Sequence, residues 1–201
     1  MGSVIAICNS KFCSFIADSR NILHNDDGSI RACNDNFQNI IKVNSKVLFG
    51  AAGNFAEQEM ASAPLNCFED RSELTAEMVM DACVKYINTS DEFCKESRSY
   101  MVCGRNHSGI FCLYEIAYEK GKECAEVKIS ELPEESDDFI VSCAVPEKSL
   151  GLKHDMLERT KQLVEASTYH REMLKKIAFM LSDISREDEN IGYHIITASI
   201  S

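Results

Sequence analysis

SVIAICNSKFCSFIADSR, residues 3–20, is the stretch on which the reading of this chain turns. SVIAI and FCSFIA are apolar and rich in β-branched and aromatic residues, and CNSK between them serves as a turn. The pattern predicts two paired strands at the start of the chain. The second strand runs straight into Asp18-Ser19-Arg20, an acid and a base around a small hydroxyl residue. A strand end carrying an exposed ion pair adds little stability. A charged cluster held at the mouth of a sheet is instead a place where chemistry is done.

Moving outward, NDDGSIRACNDN (25–36) reads as a turn or loop carrying a short strand. NIIKVNSKVLFGAAG (39–53) gives two more strands joined at Asn44-Ser45, ending in small residues that let a backbone pass close by. Residues 54–64 are expected to be helical with Asn54 as N-cap. ELTAEMVMDACVKYINTS repeats apolar residues at helical spacing from Ala76 to Ile87, with Thr75 as its N-cap. Strands return in SYMVCGR, GIFCLYEIAY, CAEVKISEL and DDFIVSCAV, separated by turns at His107-Ser108-Gly109 and Lys120-Gly121-Lys122. Two helices over 149–167 and 169–185 precede a last strand, GYHIITASI. Strands, two helices, strands, two helices and a strand predict an α+β fold. The architecture is a four-layer αββα sandwich, two antiparallel sheets flanked by helix pairs, in one domain over 1–201. Neither G-x-G-x-x-G, a P-loop nor H-E-x-x-H occurs.

A net charge of −11, with 21 Lys+Arg against 32 Asp+Glu, excludes a nucleic-acid partner, which requires clustered positive charge. No apolar run approaches the roughly 20 residues of a membrane span, and MGSVIAICNS carries no signal-like basic and apolar regions. A cytoplasmic protein without a membrane partner is expected. The ten cysteines are scattered mostly inside apolar runs, where free thiols act as small hydrophobes; Cys33 and Cys67 are the less clear cases. Cys8 and Cys13 lie close across the first hairpin, but no second pair or neighbouring His supplies zinc-ligand spacing. Neither metal nor cofactor is expected. A redox or ligand-binding role for the thiols requires an electropositive, accessible setting. No histidine has a partner by local spacing: His24 falls in a loop, His107 in a turn, His154 and His170 on helices, and His194 in the last strand.

The element order resembles that of the N-terminal-nucleophile hydrolases. Residues 3–20 look like the opening of a proteasome β-type subunit, or of the simpler bacterial peptidase of a two-component ATP-dependent protease, which begin with two threonines and reach an A-D-x-R signature. KVNSKVLFGAAGNFAE is similar to the family's glycine segment, YMVCGRNHSGIFCLYEI to its later hairpin, and FIVSCAV to the strand before its third helix. The helical extension of the α type is absent. The resemblance implies an N-terminal Thr nucleophile with its own α-amine as base, a Lys shaping the local field, a carboxylate orienting that Lys, and an oxyanion-hole glycine. On that basis Asp18 matches the orienting carboxylate, Arg20 its charged companion, Gly50 the glycine and Ser142 a serine near the site.

Two chemical positions depart from the family pattern. Counting back from Asp18, the nucleophile position is Gly2, and Ser3 falls on the family's second residue, facing the other side of the strand. The lysine position is Asn39, which is neutral; Lys42, three residues on, faces away. In SREDENIGYHI, Glu187 matches the family's acid and Asn190 its hydroxyl, with Asp188 able to substitute after a one-residue shift. The resemblance thus implies a proteasome-like subunit without catalysis, structural or assembly-related. It implies a homo-oligomer or a ring with paralogous subunits, an ATPase partner and a peptide substrate for the assembly. The helix stripes Met156, Leu163, Val164 and Met173, Ile177, Met180 either stack subunits or only cover the sheets. The alternative is an active amide hydrolase processed to start at Ser3.

Overall fold

The computed structural model describes residues 2–24, 27, 29–53, 55, 58–89, 97–132 and 136–201. The opening hairpin forms as expected from β1 (Val4–Cys8) and β2 (Cys13–Asp18), paired antiparallel from Val4↔Ala17 to Cys8↔Cys13. The Asn9 side-chain carbonyl closes its turn by accepting from the N–H groups of Lys11 and Phe12, both at 2.9 Å. After β3 (Asn21–His24) and β4 (Ile30–Asn34) come β5 (Ile40–Lys42) and β6 (Val47–Gly53). Then follow α1 (Gln58–Ser62), α2 (Ala76–Thr89), β7 (Arg98–Arg105), β8 (Phe111–Tyr118), β9 (Glu126–Glu131) and β10 (Ile140–Ala144). The chain continues through α3 (Lys153–Glu165) and α4 (His170–Ile184) to β11 (Ile195–Ile200).

One sheet has the order β10-β1-β2-β11 and the other β5-β6-β7-β8-β9, both antiparallel, while β3-β4 is a separate hairpin. The first hairpin is apolar on both faces because both are covered. Val4, Ala6, Cys8, Phe15 and Ala17 meet Leu48, Ala52, Met101 and Leu113 of the opposing sheet. Ile5, Ile7 and Ile16 pack under Met156 and Val164 of α3 and Met173, Ile177 and Met180 of α4. The apolar stripes of these two helices therefore cover a sheet, with Leu163 at the edge of the same cluster. On the far side, Val79, Cys83 and Ile87 of α2 lie on Phe49, Tyr100, Val102 and Tyr114. The result is the four-layer α+β sandwich that the element order predicts.

The differences are local. Residues 21–24 form a strand that the sequence reading did not assign, so His24 ends β3 instead of lying in a loop. The short helix, described over Gln58–Ser62, passes into a 3-10 turn at Ala63–Cys67, where Pro64 has no N–H to continue an α-helix. The expected N-cap Asn54 lies outside the described residues. Residues 147–152 are also 3-10, so the helix expected from 149 becomes α-helical only at Lys153. Cys8, Cys13, Cys83, Cys103, Cys112 and Cys143 are buried, and Cys67 and Cys124 are exposed. Among the described residues no helix is long and apolar enough to cross a membrane.

Candidate functional site

β2 delivers Asp18 to the end of the sandwich with no solvent exposure. Its carboxylate is held entirely by hydrogen bonds. Oδ2 accepts from the Ser3 backbone N–H and the Ser3 hydroxyl, both at 2.6 Å. Oδ1 accepts from the N–H groups of Arg20 and Gly192, both at 2.9 Å. Burial nevertheless raises the Asp18 pKa above the ordinary carboxylate value, against the lowering effect of these donors.

The charged pair read from the sequence forms differently. Arg20 gives Asp18 only its backbone N–H, while its guanidinium reaches Asp35 Oδ1 at 2.6 Å and the Glu189 carbonyl at 2.9 Å. The guanidinium also lies 5.3 Å from the centre of the Tyr193 ring. The local reason is direction: Asp18 turns inward toward β1, whereas Arg20, two residues on and past the strand end, opens toward the 188–193 loop. Arg20 thus ties that loop and Asp35 to the end of β2, and Asp18 is a buried carboxylate without an ion pair among the described residues.

Asn39 stands at the start of β5, 2 % exposed, and donates its side-chain N–H to the Asp18 backbone carbonyl. Its own carbonyl accepts from the Ala51 N–H at 2.9 Å. Gly2 is directly beside it. A Cβ added at Gly2 would fall inside the Asn39 amide, 2.6 Å from Cγ and nearer still to Nδ2. The two positions that depart from the family pattern are therefore neighbours, and the amide of one occupies the room a side chain on the other would need. Gly50 completes this corner, since a Cβ there would stand 3.1 Å from Val4 and 3.2 Å from Phe15. Lys42 faces outward and donates to the Ser199 carbonyl at 3.2 Å, as its odd offset along the strand requires.

The other matched residues divide. Asn190 is buried in the loop that closes on Asp18, and its N–H and Nδ2 both donate to Asp188 Oδ1 at 2.8 Å. Asp188 also accepts from the Ser149 hydroxyl at 2.6 Å, so it is the acid that shapes this loop. Glu187 is exposed. Ser142 pairs with Ala6, well along β1 from the Val4↔Ala144 pair at the mouth, and stands away from the Asp18 corner. The sequence reading placed His170 on a helix without a partner; it meets Ser14 at 2.8 Å. Ser14 is fully buried and shared with the Ser199 hydroxyl at 2.8 Å, so this pair fastens α4 to the sheet.

Gly192 was visible in the sequence only as a turn glycine. A Cβ there would meet the Arg20 Cβ at 2.6 Å and the Arg20 backbone N at 3.0 Å. Gly192→Ala is expected to push the loop off Asp18 and lower stability by about 2–3 kcal/mol. The urea midpoint by far-UV circular dichroism checks it; an unchanged midpoint would show that the loop yields freely.

No protein-family model matches the sequence, and no curated protein matches it. The fold does have counterparts among solved structures. Eukaryotic HslV from Trypanosoma brucei is similar with a TM-score of 0.56 and 13 % identity, covering 99 % of both chains. Anbu, the ancestral beta-subunit from Yersinia bercovieri, is similar with a TM-score of 0.59 and 15 % identity, over 98 % of this chain and 81 % of that one. At such identities the likeness is one of fold, the proteasome-like N-terminal-nucleophile hydrolase fold, across nearly the whole chain.

Proposed function

We infer that this chain, which has the fold of HslV and Anbu, serves as a catalytically inactive structural or assembly subunit of a proteasome-like ring. The observation that carries the reading is the Gly2–Asn39 corner: the space for a nucleophilic side chain is filled by a neutral amide. An Ntn peptidase needs a hydroxyl or thiol there and a cation beside it. Among the described residues this corner has neither, and the carboxylate meant to orient the cation is satisfied by backbone and hydroxyl donors instead.

Processing to Ser3 does not repair the chemistry. The Ser3 nitrogen lies 2.6 Å from Asp18 Oδ2. A free α-amine at that place would sit on a carboxylate, which favours ammonium and removes the base. The Ser3 hydroxyl already donates to the same oxygen, on the helix-facing side of the strand shared with Ile5 and Ile7, away from Asn39. Activity of the assembly, its peptide substrate and its ATPase partner then belong to paralogous subunits. For the subunit contact the chain offers Phe179, 72 % exposed on α4, over a 480 Å³ groove with Leu163 and Met180.

The test is purification of the untagged protein, followed by peptide substrates and an N-terminal-hydroxyl-directed β-lactone. Neither turnover nor labelling is expected, while light scattering should give a multiple of the 22.5 kDa chain that Phe179→Glu reduces. Labelling at Ser3 would overturn the inactive reading. A monomer, both alone and recovered from its own host, would overturn the ring reading.

A further inference from the structure

Three thiols outside the candidate site meet at the opposite end of the sandwich. Cys8 and Cys13 face each other across the β1–β2 hairpin. The bond from the Asn9 N–H to the Phe12 carbonyl, 2.9 Å, makes Asn9–Phe12 the hydrogen-bonded pair closing the turn. Cys8–Cys13 is therefore the adjacent non-hydrogen-bonded pair. At such pairs the Cα atoms stand about 4.5 Å apart with side chains at their closest, within the span of about 4.4–6.8 Å that a disulfide bridges. The two sulfurs already lie 2.7 Å apart. β7 of the facing sheet brings in Cys103, and all three sulfurs fall within 4.8 Å of one another.

The surroundings divide the three chemically. Hydrogen bonds from Cys103 and then Cys13 draw the Cys8 pKa down to about 5 against the effect of burial, with a smaller contribution from the Arg105 cation. Burial pushes Cys13 and Cys103 well up, so they remain thiols. These surroundings draw Cys8 toward the thiolate and leave its two neighbours as thiols, and the thiolate is the form that acts as a nucleophile. The cluster has no solvent exposure, yet it lies directly beneath the Ser10-Lys11 turn, where the Lys11 side chain is 77 % exposed. Access of an oxidant to Cys8 then requires that hairpin end to open.

We propose that Cys8 and Cys13 are an oxidisable dithiol site that closes to a cross-strand disulfide on reaction with a small-molecule disulfide such as oxidised glutathione. The Cys8 thiolate attacks one sulfur of the oxidant, forming a mixed disulfide and expelling one thiolate. Cys13 gives its proton to that thiolate or to water and attacks the Cys8 sulfur. The Cys8–Cys13 bond forms as the mixed disulfide breaks, releasing a second thiol. The protein loses two hydrogens and the oxidant gains them. Cys103 is a positioning residue that holds Cys8 as thiolate. Metal ligation fits less well. Metal–sulfur bonds of about 2.3 Å around a shared ion set sulfurs well over 3 Å apart, and only three donors converge among the described residues.

The experiment uses the full chain with the exposed thiols of the described residues removed, Cys67→Ser/Cys124→Ser. It is treated with oxidised glutathione at neutral pH, alkylated under denaturing conditions and mapped without reduction. The expected result is a mass lower by two hydrogens before alkylation and a single cross-link joining the Cys8 and Cys13 peptides. Cys103→Ala, which removes the donor, should slow formation about tenfold at pH 7 by shrinking the thiolate fraction, while Cys143→Ala leaves it unchanged. The map of the unsubstituted hairpin needs no variant at Cys8, so a folding defect there cannot hide the outcome. Full alkylation of both thiols after oxidant overturns the proposal. So does a persistent glutathione adduct on Cys8, a Cys8–Cys103 link, or a metal ion that copurifies and shields all three.

Discussion

Asp18→Ala is expected to lower the folding free energy by about 3–5 kcal/mol, because it strips four donors, three of them in buried hydrogen bonds, of their acceptor at once. The Ser3 N–H, the Ser3 hydroxyl, the Arg20 N–H and the Gly192 N–H all converge on that carboxylate. They join β1, the end of β2 and the loop before β11, so their loss loosens three segments. Asp18→Asn keeps one oxygen for two of these donors but turns an N–H₂ toward the others. The Ser3 hydroxyl can rotate to accept, whereas the Ser3 N–H cannot, so the loss is expected to be only about 1–2 kcal/mol near neutral pH. Urea unfolding of both variants measures the difference.

The pH dependence separates charge from hydrogen bonding. Burial raises the folded-state pKa of Asp18, so between the unfolded value of about 4 and the folded value the native chain holds more protons than the unfolded one. Its contribution to stability is complete below pH ~4 and is lost as pH rises through the folded pKa. Asp18→Asn has no such loss, and its deficit against the parent is expected to be greatest near pH 4 and to narrow upward. A deficit that widened with pH would mean that the donors on Asp18 outweigh burial and hold it as the anion.

How much of this could be read in the sequence follows from the distance over which each signal acts. Strand pairing in residues 3–20 was legible because its turn and apolar runs are local, and the double burial of β1 shows as the unbroken run VIAIC. Asp18 was legible as the first polar residue after such a run. Its partners were not, because Ser3, Gly192 and the Asp35 that takes Arg20 are brought in by topology. Asp188 and Glu187 could not be ranked from a string of alternating acids; the loop's own hydrogen bonds to Asn190 and Ser149 rank them. Cys8 and Cys13 were visible across their hairpin, but Cys103 comes from another sheet, and only with it does the pair acquire a polarity. The polar strand 21–24 lacks the apolar alternation that marks a strand.

The same reasoning makes Gly2 and Asn39 one feature, although nothing in their spacing announces it. Gly2→Ala is expected to destabilise by about 2–3 kcal/mol, since its methyl would claim the volume of the Asn39 amide, and Asn39 must then abandon the Asp18 carbonyl inside the protein. Asn39→Ala loses the hydrogen bond and leaves a small void, for about 1–2 kcal/mol. Made together, the new methyl at position 2 enters the space the amide has left. The double variant should therefore be more stable than the sum of the singles by about 1–2 kcal/mol. Additive losses in a urea double-mutant cycle would mean that the two residues relax independently and that the corner could still admit a side chain. Strong favourable coupling would mean that neither position accepts a new side chain independently of the other. A threonine at position 2 would meet the amide, and a lysine at position 39 would have no nucleophile beside it. Either change made alone therefore leaves the corner without the pair of groups that N-terminal-nucleophile chemistry needs.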